Sequence, residues 1–485
     1  MVFSSHIFVF YFLPLALLLY YAVPRRGQHV MLILLSYLFY GWANPLFVLL
    51  MFASTLTDYV SGLVISGQRP DWGDDKSIPL ERGGPRSRLQ KGALVATICL
   101  NLCLLGFFKY FNFGIDSYNA LVASLGLDDA RWQTFFRVTL PLGISFYTFH
   151  AMSYAIDVYR GDARAIRNYI DYACYVAMYP QLVAGPIIRF QDVADQLEYR
   201  TYSVEKFARG VAFFGFGLAK KVLLANPCGK VADMAFDAGS VGTADAWMGV
   251  VGYAFQIYFD FSAYSDMAIG LALMLGFVFA KNFDSPYRAQ SITEFWRRWH
   301  ISLSTWLRDY LYVPLGGNRK GPERTYVNLA IVMVLGGLWH GASWNFVIWG
   351  ALHGALLAFE RAQGKDSVYS NLPGPLKTAL TFVIVCFTWV FFRAETLPQA
   401  VAYCASMLGL AHSVPADGLV ASVIYQPYYL GSLAAAAVVT WSFPQTWDFT
   451  RRITLPRAAL ALVLMWLALL VLTTQSFNPF IYFMF

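Results

Sequence analysis

The stretch VNLAIVMVLGGLWHGASWNFVIWGALHGALLAF, residues 327–359, holds only two ionisable side chains, His340 and His353. As one helix rising 1.5 Å per residue it would be ~50 Å long, against ~30 Å of bilayer hydrocarbon. The chain is therefore expected to turn inside it, and Gly341-Ala342-Ser343, directly after His340, is where a turn fits. His340 then stands at a helix end within the membrane. Gly336 and Gly337 remove side chains one turn earlier, so that a neighbouring helix or a thin ligand can approach the backbone. Two readings of His340 stand side by side: a functional group, because ionisable residues in a bilayer are costly, or a hydrogen bond between helices. For His353 the interhelical hydrogen bond is the preferred reading.

The rest of the chain has the same character. Of its 485 residues 58% are hydrophobic and 13% charged, where soluble domains carry about 25% charged residues. That excludes a soluble globule, and the spread of Gly and Pro among apolar runs excludes a disordered or collagen-like chain. Apolar stretches near 5–23, 29–43, 45–66, 92–112, 136–157, 169–189, 206–226, 245–280, 327–343, 344–360, 378–392, 427–443 and 458–473 predict an all-α polytopic membrane protein. By length, about 11–13 helices are membrane-embedded. The stretch 245–280 is too long for one span and must break, tilt or emerge. The six cysteines lie in or beside apolar runs without metal-ligand spacing and read as packing residues; no metal site is expected.

Charge supplies orientation. Arg25 and Arg26 follow the first apolar run, which reads as a signal-anchor helix rather than a cleaved signal peptide. The insert GQRPDWGDDKSIPLERGGPRSRLQK, 67–91, carries six Lys/Arg and four Asp/Glu and reads as a polar cytoplasmic loop. Two spans separate it from Arg25, so the N-terminus faces the periplasm or exterior. The net charge of +7 informs topology and points to no nucleic acid.

Two further polar groupings stand out. From Ser291, SITEFWRRWHISLSTWLRDYLYVPLGGNRKGPERT predicts one amphipathic helix, with Phe295, Trp299, Leu303, Trp306 and Tyr310 on one face. Glu294, Arg297, His300, Ser304 and Arg308 share the other. Such a helix lies at the membrane interface, where its arginines meet either lipid phosphates or an anionic cytosolic molecule. A pairing of His300 with His340 is open. In QIYFDFSAYSDMAIG, 256–270, Asp260 and Asp266 point about 120° apart and read as separate polar anchors, with Tyr258, Tyr264, Ser262 and Ser265 as local partners. No nucleophile elbow, phosphate loop, dinucleotide fingerprint or zinc-protease motif is present. The chemistry suited to an intramembrane imidazole beside a basic interfacial helix is acyl transfer: a thioester is already activated, and the main need is a base for the acceptor hydroxyl.

The sequence resembles the membrane-bound O-acyltransferase superfamily, in its bacterial alginate O-acetyltransferase branch. The likeness rests on YPQLVAGPIIRF (179–190), YFDFSAYSDMAIG (258–270), SITEFWRRWHISLSTWLRDYLYVPLGGNR (291–319) and LGGLWHGASW (335–344), with the opening MVFSS and the closing QSFNPFIYFMF also similar. The resemblance implies one membrane domain over 1–485, made of N-terminal helices 1–66, the loop 67–91, a catalytic core 136–360 and C-terminal helices 375–485. Re-entrant and interfacial helices would surround a central tunnel. It carries the family's signature histidines onto His340, the catalytic base, and His300, which stands where some members have Asn. Arg297, Arg298, Arg308, Trp299, Trp339 and Ser304 become donor-binding candidates, with Asp260, Asp266 and Tyr258 as supporting groups. It further implies acetyl-CoA as donor substrate with no bound cofactor, a bacterial inner-membrane location, and O-acetylation of an exopolysaccharide such as alginate or cellulose. The implied partners are periplasmic SGNH or serine-hydrolase-like subunits and membrane lipid. A protein or lipid acceptor, and a transporter that makes no bond, are the alternatives.

Overall fold

The computed structural model describes residues 1–71, 78–133, 136–239, 241–364, 371–410, 417–475 and 477–481. Among the described residues the chain is helical and has no strand. Contacts divide it into two compact units: Ile7–Tyr202 with Met1 and Leu275–Phe279, and Ser203–Met274 with Val2–His6 and Ala280–Phe485.

In the first unit, α1 (Leu46–Ser66), α2 (Arg88–Ser124) and α3 (Ile144–Arg160) carry the packing. Helix α1 stops at Gly67, whose φ of 69° suits glycine. Helix α2 starts on a capping box: the Ser87 hydroxyl accepts from Gln90 N at 3.1 Å while Gln90 Oε1 accepts from Ser87 N at 2.8 Å. The expected polar loop therefore ends at Ser87, and 88–91 form the first turn of α2; residues 72–77 of that loop lie outside the described residues. Asp58 of α1 is fully buried and accepts from Asn101 Nδ2 at 2.7 Å and from the Thr97 hydroxyl on α2, which joins the two helices. The stretch 169–189 does not form one helix: it ends at Ala177, just before Tyr179-Pro180, because proline has no N–H for a preceding turn.

In the second unit, α4 (Val204–Ala219) continues through a π-helical turn, Lys220–Ala225, into α5 (Asn226–Phe236). Helix α6 (Thr243–Met274) runs unbroken for 32 residues, so the long stretch expected to break, tilt or emerge does not break, and helix ends at Met274. Glycines bring α4 and α6 together: a Cβ on Gly210 would lie 2.7 Å from Gly270 O, and one on Gly217 2.7 Å from Ala263 O. After α6 come α7 (Ile292–Arg298), α8 (Ile301–Leu307), α9 (Gly321–His340), α10 (Trp344–Gln363), α11 (Gly374–Arg393) and α12 (Leu455–Thr474).

Four of these helices, α1, α2, α11 and α12, are long and apolar enough to cross a bilayer, and Ile7–Ala22 is a shorter apolar helix. The cysteines divide. Cys174, Cys228 and Cys386 are buried as expected of packing residues, whereas Cys99 and Cys103 are exposed on α2, a helix only 17% buried along its apolar window.

The carboxylates of α6 find partners that the sequence analysis did not assign. Lys221 Nζ sits 2.8 Å from Asp260 Oδ1 and Lys220 Nζ 2.7 Å from Asp266 Oδ2. Consecutive lysines point about 100° apart on a helix, so each reaches one of two acids six residues apart. Asp260 Oδ2 also accepts from Ile481 N at 2.8 Å, and Lys221 Nζ donates to Pro479 O, which ties the C-terminal segment to α6. Tyr258 takes no part in this, because its hydroxyl accepts from Gln445 Nε2 at 2.8 Å, and Ser265 bonds Asn282 Nδ2. Removing one member of a buried pair strands the other charge at a cost of ~3–5 kcal/mol. Lys221→Met is expected to lower the thermal midpoint of the detergent-solubilised chain sharply, and adding Asp260→Asn, which removes the charge but keeps an acceptor for Ile481 N, to recover most of the loss; equal midpoints for the single and double variants would contradict this account of the pair.

Candidate active site

Helices α9 and α10 form a tight hairpin, and the turn lies where the sequence predicts it: α9 ends at His340, Gly341 caps it, and α10 begins at Trp344. The two glycines before His340 have separate jobs. A Cβ on Gly337 would collide with Phe346 O, and one on Gly350 with Met333 O, so these positions set the helix approach. A Cβ on Gly336 would meet only Leu307 Cδ1, at 3.5 Å, because that position faces a cleft. His340 is 7% exposed, and its ring is walled edge-on by Trp339, Trp349 and Phe392 at centroid distances of 5.1, 5.4 and 5.2 Å.

The continuous amphipathic helix expected from Ser291 is broken in two. Ser291 caps α7, whose last residue is Arg298, and α8 starts at Ile301. Between them His300 has φ of 45°, in the left-handed region. Asn282 supplies what the break removes: its backbone oxygen accepts from Ile301 N at 2.8 Å, and its side-chain Oδ1 from Ser302 N at 3.1 Å and the Ser302 hydroxyl at 2.9 Å. Orphaned amides at a helix start are thus paired inside the unit. The apolar set Phe295, Trp299, Leu303, Trp306 and Tyr310, expected at the membrane interface, is buried within the protein, and His300 is not on an interfacial polar face: it is fully buried. The break turns its side chain inward, to a ring-centroid distance of 6.4 Å from His340.

The same amide orients the imidazole. Because Asn282 Oδ1 receives a backbone N–H, that atom is the oxygen, and it lies 3.2 Å from His300 Nδ1, with the Ser302 hydroxyl at 3.4 Å from the same nitrogen. The other ring nitrogen, Nε2, has no hydrogen-bond partner among the described residues. Asn282 is a positioning residue that sequence reasoning missed, since it precedes the histidine by 18 residues in an undistinguished loop.

His340, Gly336, Ser304 and Arg308 line one cleft of about 200 Å3, whose remaining walls are largely apolar: Leu303, Leu307, Leu329, Val332, Met333 and Leu357. Arg308 is exposed and pairs with neighbouring Asp309 at 2.7 Å. On another side His340 meets a small pocket with Trp299, Trp389, Phe392 and Ile481. The other arginines lie elsewhere. Arg298 is held by Glu294 at 2.7 Å and by Asp284 O at 3.0 Å, and Arg297 is exposed away from the cleft lining. His353 Nδ1 accepts from Trp296 Nε1 at 3.2 Å, an interhelical bond.

Comparison with known proteins identifies the family to which this helical chain belongs. The model of the MBOAT, membrane-bound O-acyltransferase, family matches residues 162–395. The chain is 43% identical to the probable alginate O-acetylase AlgI of Azotobacter vinelandii and 44% identical to that of Pseudomonas putida, each over the whole of both chains. The chain belongs to the membrane-bound O-acyltransferase family. It is thus a multi-pass membrane acyltransferase. It is also 34% identical to the peptidoglycan O-acetyltransferase of Helicobacter pylori, over 84% of this chain and 80% of that one. The matched region holds both histidines, Asn282 and the whole cleft lining.

Two predictions follow from this geometry. Gly337→Ala is expected to destabilise the chain by ~1–3 kcal/mol through overpacking, whereas Gly336→Leu leaves the thermal midpoint in place and cuts acyl transfer by filling the cleft. Similar midpoints in both variants would contradict the division of labour. Separately, Asn282→Ala is expected to cut turnover about tenfold, the equivalent of one hydrogen bond of ~1.4 kcal/mol, while the donor KM stays near the wild-type value.

Proposed function

We propose that this chain takes acetyl from acetyl-CoA at the cytoplasmic face of a bacterial inner membrane and passes it toward hydroxyls of an exopolysaccharide of the alginate type. The observation that carries this reading is the single cleft joining exposed Arg308 to buried His340. An anionic donor is drawn by Arg308, and its thioester arm lies along the apolar walls past Gly336. His340 takes the proton from the acceptor hydroxyl, whose oxygen attacks the thioester carbon. The C–S bond breaks, and the leaving thiolate receives the proton, so that an acetyl ester and a free thiol result. His300, whose Nε2 is unpartnered among the described residues, orients the acceptor or the thioester. Trp299 and Trp339 wall the reacting centre, and Ser304 is a hydrogen-bonding group in the cleft. Arg297 and Arg298 belong to a peripheral basic surface that meets the donor or lipid phosphates.

The polymer is inferred from the full-length relatives, which are named probable alginate O-acetylases. Periplasmic SGNH-type subunits complete the transfer in this reading. The basic segment from Arg82 to Lys91 lies on the cytoplasmic side and the N-terminus faces the periplasm, by the excess of Lys and Arg. The largely apolar cleft lining favours one second reading, transfer of a longer acyl chain, and a palmitoyl thioester in the same assay separates the two.

The test uses sealed membrane vesicles of known orientation with labelled acetyl-CoA on the cytoplasmic side. His340→Ala is expected to lose ~10²- to 10⁴-fold in transfer, the range for a missing general base. Arg308→Gln is expected to raise the donor KM at least about tenfold, the lower end for a charge-assisted contact of ~1.5–3 kcal/mol. Intact acetyl-CoA arriving on the far side with its label still thioester-bound would mean that the chain transports and does not acylate.

A further inference from the structure

The first unit contains a basic hollow that the acyl-transfer chemistry does not use. It has a volume of about 600 Å3 and is lined by Arg82, Arg86, Lys91 and Arg160, with Tyr159, the turn Gly83-Gly84-Pro85 and one carboxylate, Asp162. Four cationic side chains thus face one acid.

The hollow is built rather than merely exposed. Arg86 is anchored through four backbone carbonyls: Nε donates to Tyr159 O at 2.8 Å, Nη1 to Gly84 O at 3.0 Å and Pro85 O at 3.4 Å, and Nη2 to Glu81 O at 2.7 Å. Its guanidinium also lies 5.7 Å from the centre of the Tyr159 ring. Neutral carbonyls fix the side chain without cancelling its charge. Arg82 is set by Asp162 at 3.1 Å. The loop rests directly on the end of α3, since a Cβ on Gly161 would collide with Leu80 O. On the other side Gln90 Nε2 donates to Ile65 O at 2.7 Å, which fastens the first turn of α2 to the last turn of α1.

The hollow therefore sits where three helices end: α1 at Ser66, α2 at Arg88 and α3 at Arg160. Two of them, α1 and α2, are long and apolar enough to cross a bilayer, and the apolar run of α2 begins at Gly92, directly after Lys91. A cation one residue outside such a run lies at headgroup depth. Leu89 and Val95 of α2 are 71% and 59% exposed, so apolar surface flanks the basic groups. A ligand that places a negative charge at the interface beside an acyl chain meets both features at once.

We propose that this hollow holds the phosphate of an anionic phospholipid headgroup, with the acyl chains lying along α2. Free phosphate shares the charge but not the acyl chain, and the experiment separates the two sources. The full chain, purified in neutral detergent, is titrated with short-chain phosphatidylglycerol, with phosphatidylcholine of the same chain length, and with inorganic phosphate at matched ionic strength. Bound lipid is counted by native mass spectrometry. Phosphatidylglycerol is expected to bind in preference to phosphatidylcholine. Each cation near a membrane surface is worth about fivefold in anionic-lipid affinity, so Lys91→Gln should weaken that binding about fivefold and Lys91→Glu further. Arg86 is left intact because it braces the loop. Arg137→Gln, which removes an exposed partner of Asp116 elsewhere on this unit, should leave the preference unchanged. Equal binding of the two lipids, a preference that survives Lys91→Glu combined with Arg82→Gln, or inorganic phosphate displacing phosphatidylglycerol at equal concentration would each overturn the proposal.

Discussion

A helix that stops in an apolar interior leaves amides and carbonyls that water cannot reach, and each must find a partner within the protein. His300 and His340 of the second unit stand at such stops, and the surrounding architecture follows from how the stops are satisfied. At His340 the solution is proximity: the chain reverses at once, and glycines at 337 and 350 let α9 and α10 run close together. At His300 the solution is a loan from elsewhere in the chain. Asn282 gives both its backbone and its side-chain oxygen to the first amides of α8. The same oxygen that repairs the backbone also orients the imidazole, so a structural necessity and a chemical one meet in one residue.

This division explains what could be read from the sequence. The turn after His340 was legible because a 33-residue apolar run cannot be one span, and a short polar tripeptide marks the exit. That Phe295, Trp299, Leu303, Trp306 and Tyr310 share one apolar face was legible because their spacing is helical. The break between them was not, since two short helices that keep the same face inward give the same pattern as one long helix. Asn282 was invisible for a different reason: a hydrogen bond across 18 residues leaves no periodic trace.

The lysines of Ala219-Lys220-Lys221-Val222 could have been found. Two cations inside one apolar run and two acids inside another demand each other on cost alone, yet the carboxylates were assigned to neighbouring hydroxyls. The cysteines of α2 show the opposite limit: hydrophobic surroundings in sequence do not distinguish a residue facing protein from one facing outward. Arginines that look equivalent along the helix are separated by where the helix is cut, and Arg308 is the one that lines the cleft with His340.

The left-handed backbone at His300 has an evolutionary consequence. An L-residue there pays ~1–2 kcal/mol unless its side chain is short and polar enough to hydrogen-bond locally, which favours Gly, Asn and Asp, with His also enriched. Of these, His and Asn carry a nitrogen-bearing planar group able both to donate and to accept. The backbone narrows the choice at this position to side chains that tolerate the bend, and hydrogen-bonding capacity narrows it again, so that one dihedral angle of 45° restricts which substitutions the site accepts.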